Sequence, residues 1–183
     1  MIDQIAQLKR DYAIDGIAFT DSLLNGVMPR LRTFAEGLLE RNIELKWGGF
    51  MRANMDPETA KLLRRAGCVL GFFGIESFDD ETLREMNKRR TMADNVQALE
   101  AFLSAGIAVR AGFIPGFPGD DRNRFMKTAM VFRSLQKRFP SLLATGIEQS
   151  FTRRLARLPR EGRRLLLLAA AEPVGDPALL WRA

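Results

Sequence analysis

The sequence predicts an α/β protein built on a parallel sheet, and three observations predict it. Short apolar runs of strand length alternate with stripes of apolar residues spaced three or four apart. Helix-start and helix-stop residues separate the two kinds of segment. The order reads α-β-α-β-α-β-α-β-α-β, and strands joined through helices imply right-handed crossovers between parallel neighbours. Periodicity leaves two architectures open: a doubly wound open sheet, or a closed or partial (β/α) TIM-like barrel.

Ile2, Ile5, Leu8 and Tyr12 fall on one face of a first helix. Gly16-Ile-Ala-Phe-Thr20 has the length and apolarity of a buried strand. Leu31, Phe34, Ala35, Leu38 and Leu39 form a second helical stripe, and Leu45 to Phe50 the next strand. Asp56-Pro57 starts a helix, because Asp accepts a bond from a free N–H and Pro at the first helical position gives up none. Leu62, Leu63 and Ala66 continue it, and Gly67 ends it in a left-handed turn. Val69 to Ile75 reads as a strand and residues 80–87 as a helix. Thr91 and Asp94 open a further helix carrying Val96, Leu99, Phe102 and Leu103, which Gly106 closes. Ile107 to Ile114 is a strand. Phe125, Ala129, Phe132 and Leu135 line another helix, and Thr145 to Phe151 reads as a last strand.

The 183 residues, 46% of them hydrophobic, suffice for one domain with a sizeable core. Its longest apolar run, Leu165 to Ala171, falls far short of the ~18 residues of a membrane span. The start has neither the basic flank nor the apolar segment of a secretion signal, so a cytoplasmic protein is expected. One cysteine, Cys68, and no histidine exclude an internal disulfide, a Cys/His zinc site and any triad using His. Of the net charge of +6, residues 152–183 supply +4, through seven Arg against three acidic residues. The remainder is nearly balanced, which argues against a nucleic-acid partner.

In either parallel architecture ligands gather at the C-terminal ends of the strands. Those ends carry Thr20-Asp21-Ser22, Met51-Arg52-Ala53-Asn54, Glu76-Ser77 and Ile114-Pro-Gly-Phe-Pro-Gly119. Carboxylates there accept bonds from an ammonium or from sugar hydroxyls, and Arg takes a carboxylate with two prongs. Gly112, Gly116 and Gly119 let backbone approach a flat base. Plain structural roles compete with each of these. Asp21 and Asn25 are also candidates to start the second helix, Glu76-Ser77 to cap the next one, and Phe72 and Phe73 to fill core. Lys88, Arg89 and Arg90 also read as a solvated charge run.

Several segments resemble the radical S-adenosylmethionine (SAM) superfamily, in the branch whose members often carry a cobalamin-binding domain. They are Phe19-Thr-Asp21, Trp47-Gly-Gly-Phe-Met-Arg52, Ala66-Gly-Cys68, Phe73-Gly-Ile-Glu-Ser77, Met86-Asn-Lys88 and Gly112-Phe-Ile-Pro-Gly-Phe-Pro-Gly-Asp120. The resemblance implies strands two to six of a partial barrel over residues 1–150. It implies SAM ribose contacts for Glu76 and Ser77, and adenine packing for Ile114 between Gly112 and Gly116. Asp21 would hold the methionyl amine, and Arg52 the SAM carboxylate or the substrate, whose identity the sequence leaves unknown. The family's loop with Cys-x3-Cys-x2-Cys, whose thiolates hold a [4Fe–4S] cluster, has no counterpart here. Cys68 falls at the opposite end of the sheet from the site. The expectation is therefore a catalytically incompetent fragment, whose open barrel edge favours self-association, with SAM as its cofactor and cobalamin confined to a separate domain. Residues 151–183 read as a basic helical tail resembling a stretch of LuxR-type regulators with an ATPase module. The alternative function is a non-catalytic interaction or regulatory fragment that uses this tail.

Overall fold

A computed structural model describes residues 1–114 and 116–140; the expected strand at 145–151 and the basic tail lie outside the described residues. Four parallel strands form one sheet in the order β1 (Gly16–Ala18), β2 (Lys46–Met51), β3 (Cys68–Glu76), β4 (Ala108–Phe113). The order rises without reversal. A doubly wound sheet needs a reversal, and right-handed crossovers without one place every connecting helix on the same face. The structure is therefore an arc of a (β/α) barrel.

Each connecting segment follows from its sequence. Helix α1 (Ile2–Tyr12) buries only Ile5 of its stripe and leaves Leu8 and Tyr12 exposed. Helix α2 (Met28–Glu40) begins with Pro29 in its first turn and buries Leu31, Phe34, Ala35 and Leu38. Neither Asp21 nor Asn25 starts it; Val27 holds the N-cap position. Helix α3 (Pro57–Arg65) is capped by Asp56, which accepts from the Thr59 N–H at 2.8 Å. Helix α4 (Asp80–Glu85) is shorter than expected because Asn87 turns left-handed, φ 56°. Helix α5 (Met92–Ser104) opens with a reciprocal cap between Thr91 and Asp94. Helix α6 (Arg122–Arg138) is capped by Asp121.

Strand parity separates two faces. Trp47, Met51, Phe73, Ile75 and Val109 point into the helix layer and are buried. There the Phe19, Phe34 and Trp47 rings meet edge to face at 5.4–6.1 Å, a favoured aromatic geometry. Phe50, Phe72 and Arg110 lie on one rung of the other face, the inner face of the barrel arc. Of the two phenylalanines expected in the core, Phe73 is there and Phe72 is on the inner face, half-buried.

Candidate functional site

The C-terminal strand ends form two neighbouring hollows. The larger, about 900 Å³, is lined by Ser22 and Leu23 after β1, Arg52 and Ala53 after β2, Phe72 and Gly74 of β3, and the segment Asn87–Arg90 after α4. The smaller, about 190 Å³, lies between the ends of β3 and β4 and helix α6, and is lined by Glu76, Ser77, Ile114, Phe125 and Thr128 among others.

Glu76 stands between them. Its backbone is left-handed, φ 65°, where the pairing of β3 with β4 slips by a residue, and its carbonyl accepts the Ile114 N–H at 3.0 Å. A non-glycine residue in that conformation stores strain, and such strain gathers at ligand sites. Its carboxylate folds back over Gly74: a Cβ on Gly74 would stand 2.6 Å from Oε1. Lys88 donates to the same oxygen at 2.9 Å. Gly74 faces Gly112 across the β3–β4 ladder, so that rung carries no side chain.

The other expected residues divide between the hollows. Arg52 is exposed on the larger one. Ser77 and half-exposed Ile114 line the smaller one. Asp21 is exposed in the loop after β1 and lines neither. Gly116 turns left-handed, φ 79°, and donates its N–H to Asp120 at 3.2 Å. Ser77 is buried and occupied: its hydroxyl accepts from the Asp79 N–H at 3.0 Å and pairs with the Thr128 hydroxyl at 3.1 Å. The cap of α4 is Asp79, not Glu76 or Ser77.

Cys68 begins β3, at the end of the sheet away from both hollows, and is fully buried. Burial pushes its thiol up to about 12, so the thiolate needed for metal ligation is suppressed. Among the described residues no group of His, Cys, Asp and Glu is arranged to hold a metal ion. No helix among them is long and apolar enough to cross a membrane.

The sequence profile of the radical SAM superfamily matches residues 3–131. The chain belongs to the radical SAM superfamily. It is 24% identical over 136 residues to an uncharacterized methyltransferase of Pyrococcus horikoshii, covering 74% of this chain and 30% of that protein. It is 32% identical over 96 residues to the bacteriochlorophyllide d C-12(1)-methyltransferase of Chlorobaculum tepidum, covering 51% of this chain and 21% of that one. In structure it is similar to the radical SAM methyltransferase TsrM of Kitasatospora setae, solved with cobalamin and a [4Fe–4S] cluster. That match has a TM-score of 0.66 at 19% identity and covers 74% of this chain and 26% of TsrM. The cobalamin-dependent radical SAM enzyme OxsB matches at 0.56 and 23%, over 69% of this chain and 20% of its own. These structural likenesses concern the fold. The chain spans between a fifth and a third of the length of each of these relatives.

Sequence reasoning missed the residues that hold the radical SAM rim together. Asn25 is buried and binds both the N–H and the carbonyl of Arg52 with its amide, at 2.7 and 2.9 Å, and also reaches Asn54. It thereby locks the loop after β1 to the loop after β2. Asn95 donates to the carbonyls of Ile75 and Ser77, both at 3.3 Å, and fixes the end of β3. A lone asparagine in a loop or at a helix start gives no such signal; only the crossing of two loops does.

Proposed function

We infer that this chain is the cofactor-binding arc of a radical SAM enzyme, and that Glu76 is the centre of its SAM site. The observation that carries this is the strained, left-handed Glu76 at a strand end. Its carboxylate is poised over Gly74, and its carbonyl is tied to the half-exposed Ile114. The donor set suits the molecule. A carboxylate accepts ribose hydroxyls, an apolar side chain beside glycines packs on adenine, and a guanidinium takes an amino-acid carboxylate. On this reading Glu76 and Ser77 flank the ribose, Ile114 with Gly112 and Gly116 the adenine, and Arg52 the carboxylate. Ser77 serves through its position, because its hydroxyl is already engaged. Asp21, which lines neither hollow, is left outside this set of contacts. Bound there, SAM would supply a sulfonium-activated carbon for transfer or radical chemistry.

The family's iron–sulfur cluster does not fit these residues. The only cysteine is buried, holds its proton, and sits at the wrong end of the sheet. Cobalamin, which the similar TsrM and OxsB structures carry, would need a separate domain. The relatives' names make methyl transfer the leading reaction class for the whole protein.

Titration calorimetry of the 183-residue chain with SAM tests the site. Weak, measurable binding that Glu76→Ala abolishes and Ile114→Asp reduces is expected. Unchanged affinity in Glu76→Ala would sink the assignment. After anaerobic reconstitution with iron and sulfide, the chain alone should form no 5′-deoxyadenosine; its formation would refute the missing-cluster reading.

A further inference from the structure

We propose that the larger hollow binds the acidic substituent of a flat, apolar molecule, with Arg89 and Arg90 as its anion anchors. As an assignment of substrate class this rests on the radical SAM reading. As a binding site it stands on the following geometry.

The hollow is lined by four cationic side chains, Arg52, Lys88, Arg89 and Arg90, and by no carboxylate. Glu76 neutralises Lys88 from its edge. Arg52, Arg89 and Arg90 enter no ion pair among the described residues. Asp94 shares an adjoining hollow with Arg89 and Arg90 and offsets part of their charge, but the larger hollow keeps a net positive lining, and cations gathered in a concavity raise its affinity for anions. The basic segment is held at both ends. The Lys88 N–H donates to the Leu83 carbonyl at 2.8 Å, and the Met92 N–H to Asp80 at 2.6 Å, while Asn87 turns the chain left-handed just before the first of these.

The floor specifies the rest of the ligand. Phe50 and Phe72 lie side by side, with centroids 5.1 Å apart and planes tilted 32°, and the Arg110 guanidinium lies 5.3 Å from the centre of the Phe72 ring. These three occupy one rung of adjacent strands, and the next rung is the bare pair Gly74 and Gly112. A row of π-surfaces beside a step that carries no Cβ, bordered by the Glu76 carboxylate over Gly74, accepts a planar ring system. The cations above it accept a carboxylate or phosphate on that ring.

The test uses the full chain and three probes: pyrene-1-carboxylate, pyrene-1-methanol and tripolyphosphate. Fluorescence titration should show the carboxylate binding at least about tenfold tighter than the alcohol, roughly the value of one charge-assisted contact. Arg89→Gln with Arg90→Gln should erase that preference and leave SAM affinity unchanged. Phe72→Leu should weaken both pyrenes alike. Tripolyphosphate at the same concentration should fail to displace the carboxylate, because it lacks a ring. Equal binding of acid and alcohol, or displacement by tripolyphosphate with no effect of Phe72→Leu, overturns the proposal. A chain that binds no SAM yet separates the pyrenes retains this site and refutes the cofactor assignment; the opposite result does the reverse.

Discussion

A left-handed backbone at a residue with a side chain costs about 1–2 kcal/mol, and Glu76 bears that cost at φ 65°. Removing the carboxylate alone leaves the strain in place. Glu76→Gly should therefore unfold at higher urea than Glu76→Ala, by about 1 kcal/mol, with both losing SAM affinity. Equal stability of the two would show that the backbone is not strained there. Gly74→Ala probes the same carboxylate from the other side. Its Cβ would stand 2.6 Å from Oε1, so the carboxylate must leave Lys88 or the strand must shift. The expected result is loss of measurable SAM binding with a modest drop in melting temperature; full binding in Gly74→Ala would free the carboxylate of its assigned place. The sequence showed Glu76 through its motif and its position after an apolar run. It did not show the pair with Lys88, because the intervening helix and a left-handed turn decide where Lys88 arrives. Nor did it show Asn25, whose role arises only where two loops meet.

Polar contacts join helix α6 and the residue before its cap to helix α4 and the segment that leads into it. Arg124 pairs with Glu81 at 2.9 Å and Glu85 at 3.0 Å, and Lys127 with Asp79 at 3.0 Å. Thr82 donates to Asp120, and Thr128 accepts the Phe78 N–H at 3.0 Å. Asp79 is the centre of this clasp. Burial pushes its carboxyl upward, but the Thr82 N–H and the Lys127 ammonium outweigh that and hold it at about 2, against 3.8 unfolded. A depressed folded value stabilises the native state above the unfolded value and loses that contribution as pH falls through the folded one. Asp79 should thus contribute about 2 kcal/mol near neutrality, lost between about pH 4 and pH 2. Asp79→Asn keeps the cap but not the charge, so its stability should vary less with pH across that window in urea melts. Parallel acid limbs for the two proteins would exclude the clasp as the cause. Thr128→Val should cost about 1–3 kcal/mol by stranding the Phe78 N–H. At this scale the sequence was legible where local chemistry decides: the Asp56-Pro57 start, the Thr91–Asp94 cap and the apolar strands β2 to β4 all lie within a residue or two of expectation. It failed where packing decides. Strand β1 stops at Ala18, short of Thr20, and the α4–α6 clasp is built from charged residues that periodicity reads as solvent-facing.

A closed barrel fills its interior with side chains from all its strands, so that the inner rung of each strand is covered by the others. Among the described residues, helices cover only the outer face of this four-stranded arc, and Phe50 and Ile114 on the inner side remain 49% exposed. The barrel reading of the sequence was correct in strand order. The exposed inner face was not legible, because strand parity assigns faces without saying which one other elements will cover. When no ring ligand fills the hollow, apolar rings on an open sheet face favour burial against a second copy. Strand edges contribute less to such pairing on the β1 side, which offers only three residues. The chain should therefore elute above its 20.6 kDa monomer mass and shift with concentration over about a hundredfold range, as mass action requires. Phe50→Lys places a charge in the middle of that face and should return the protein to a concentration-independent monomer. A chain that is already monomeric at every concentration, with the same elution as Phe50→Lys, would mean that the inner face is covered from within the molecule.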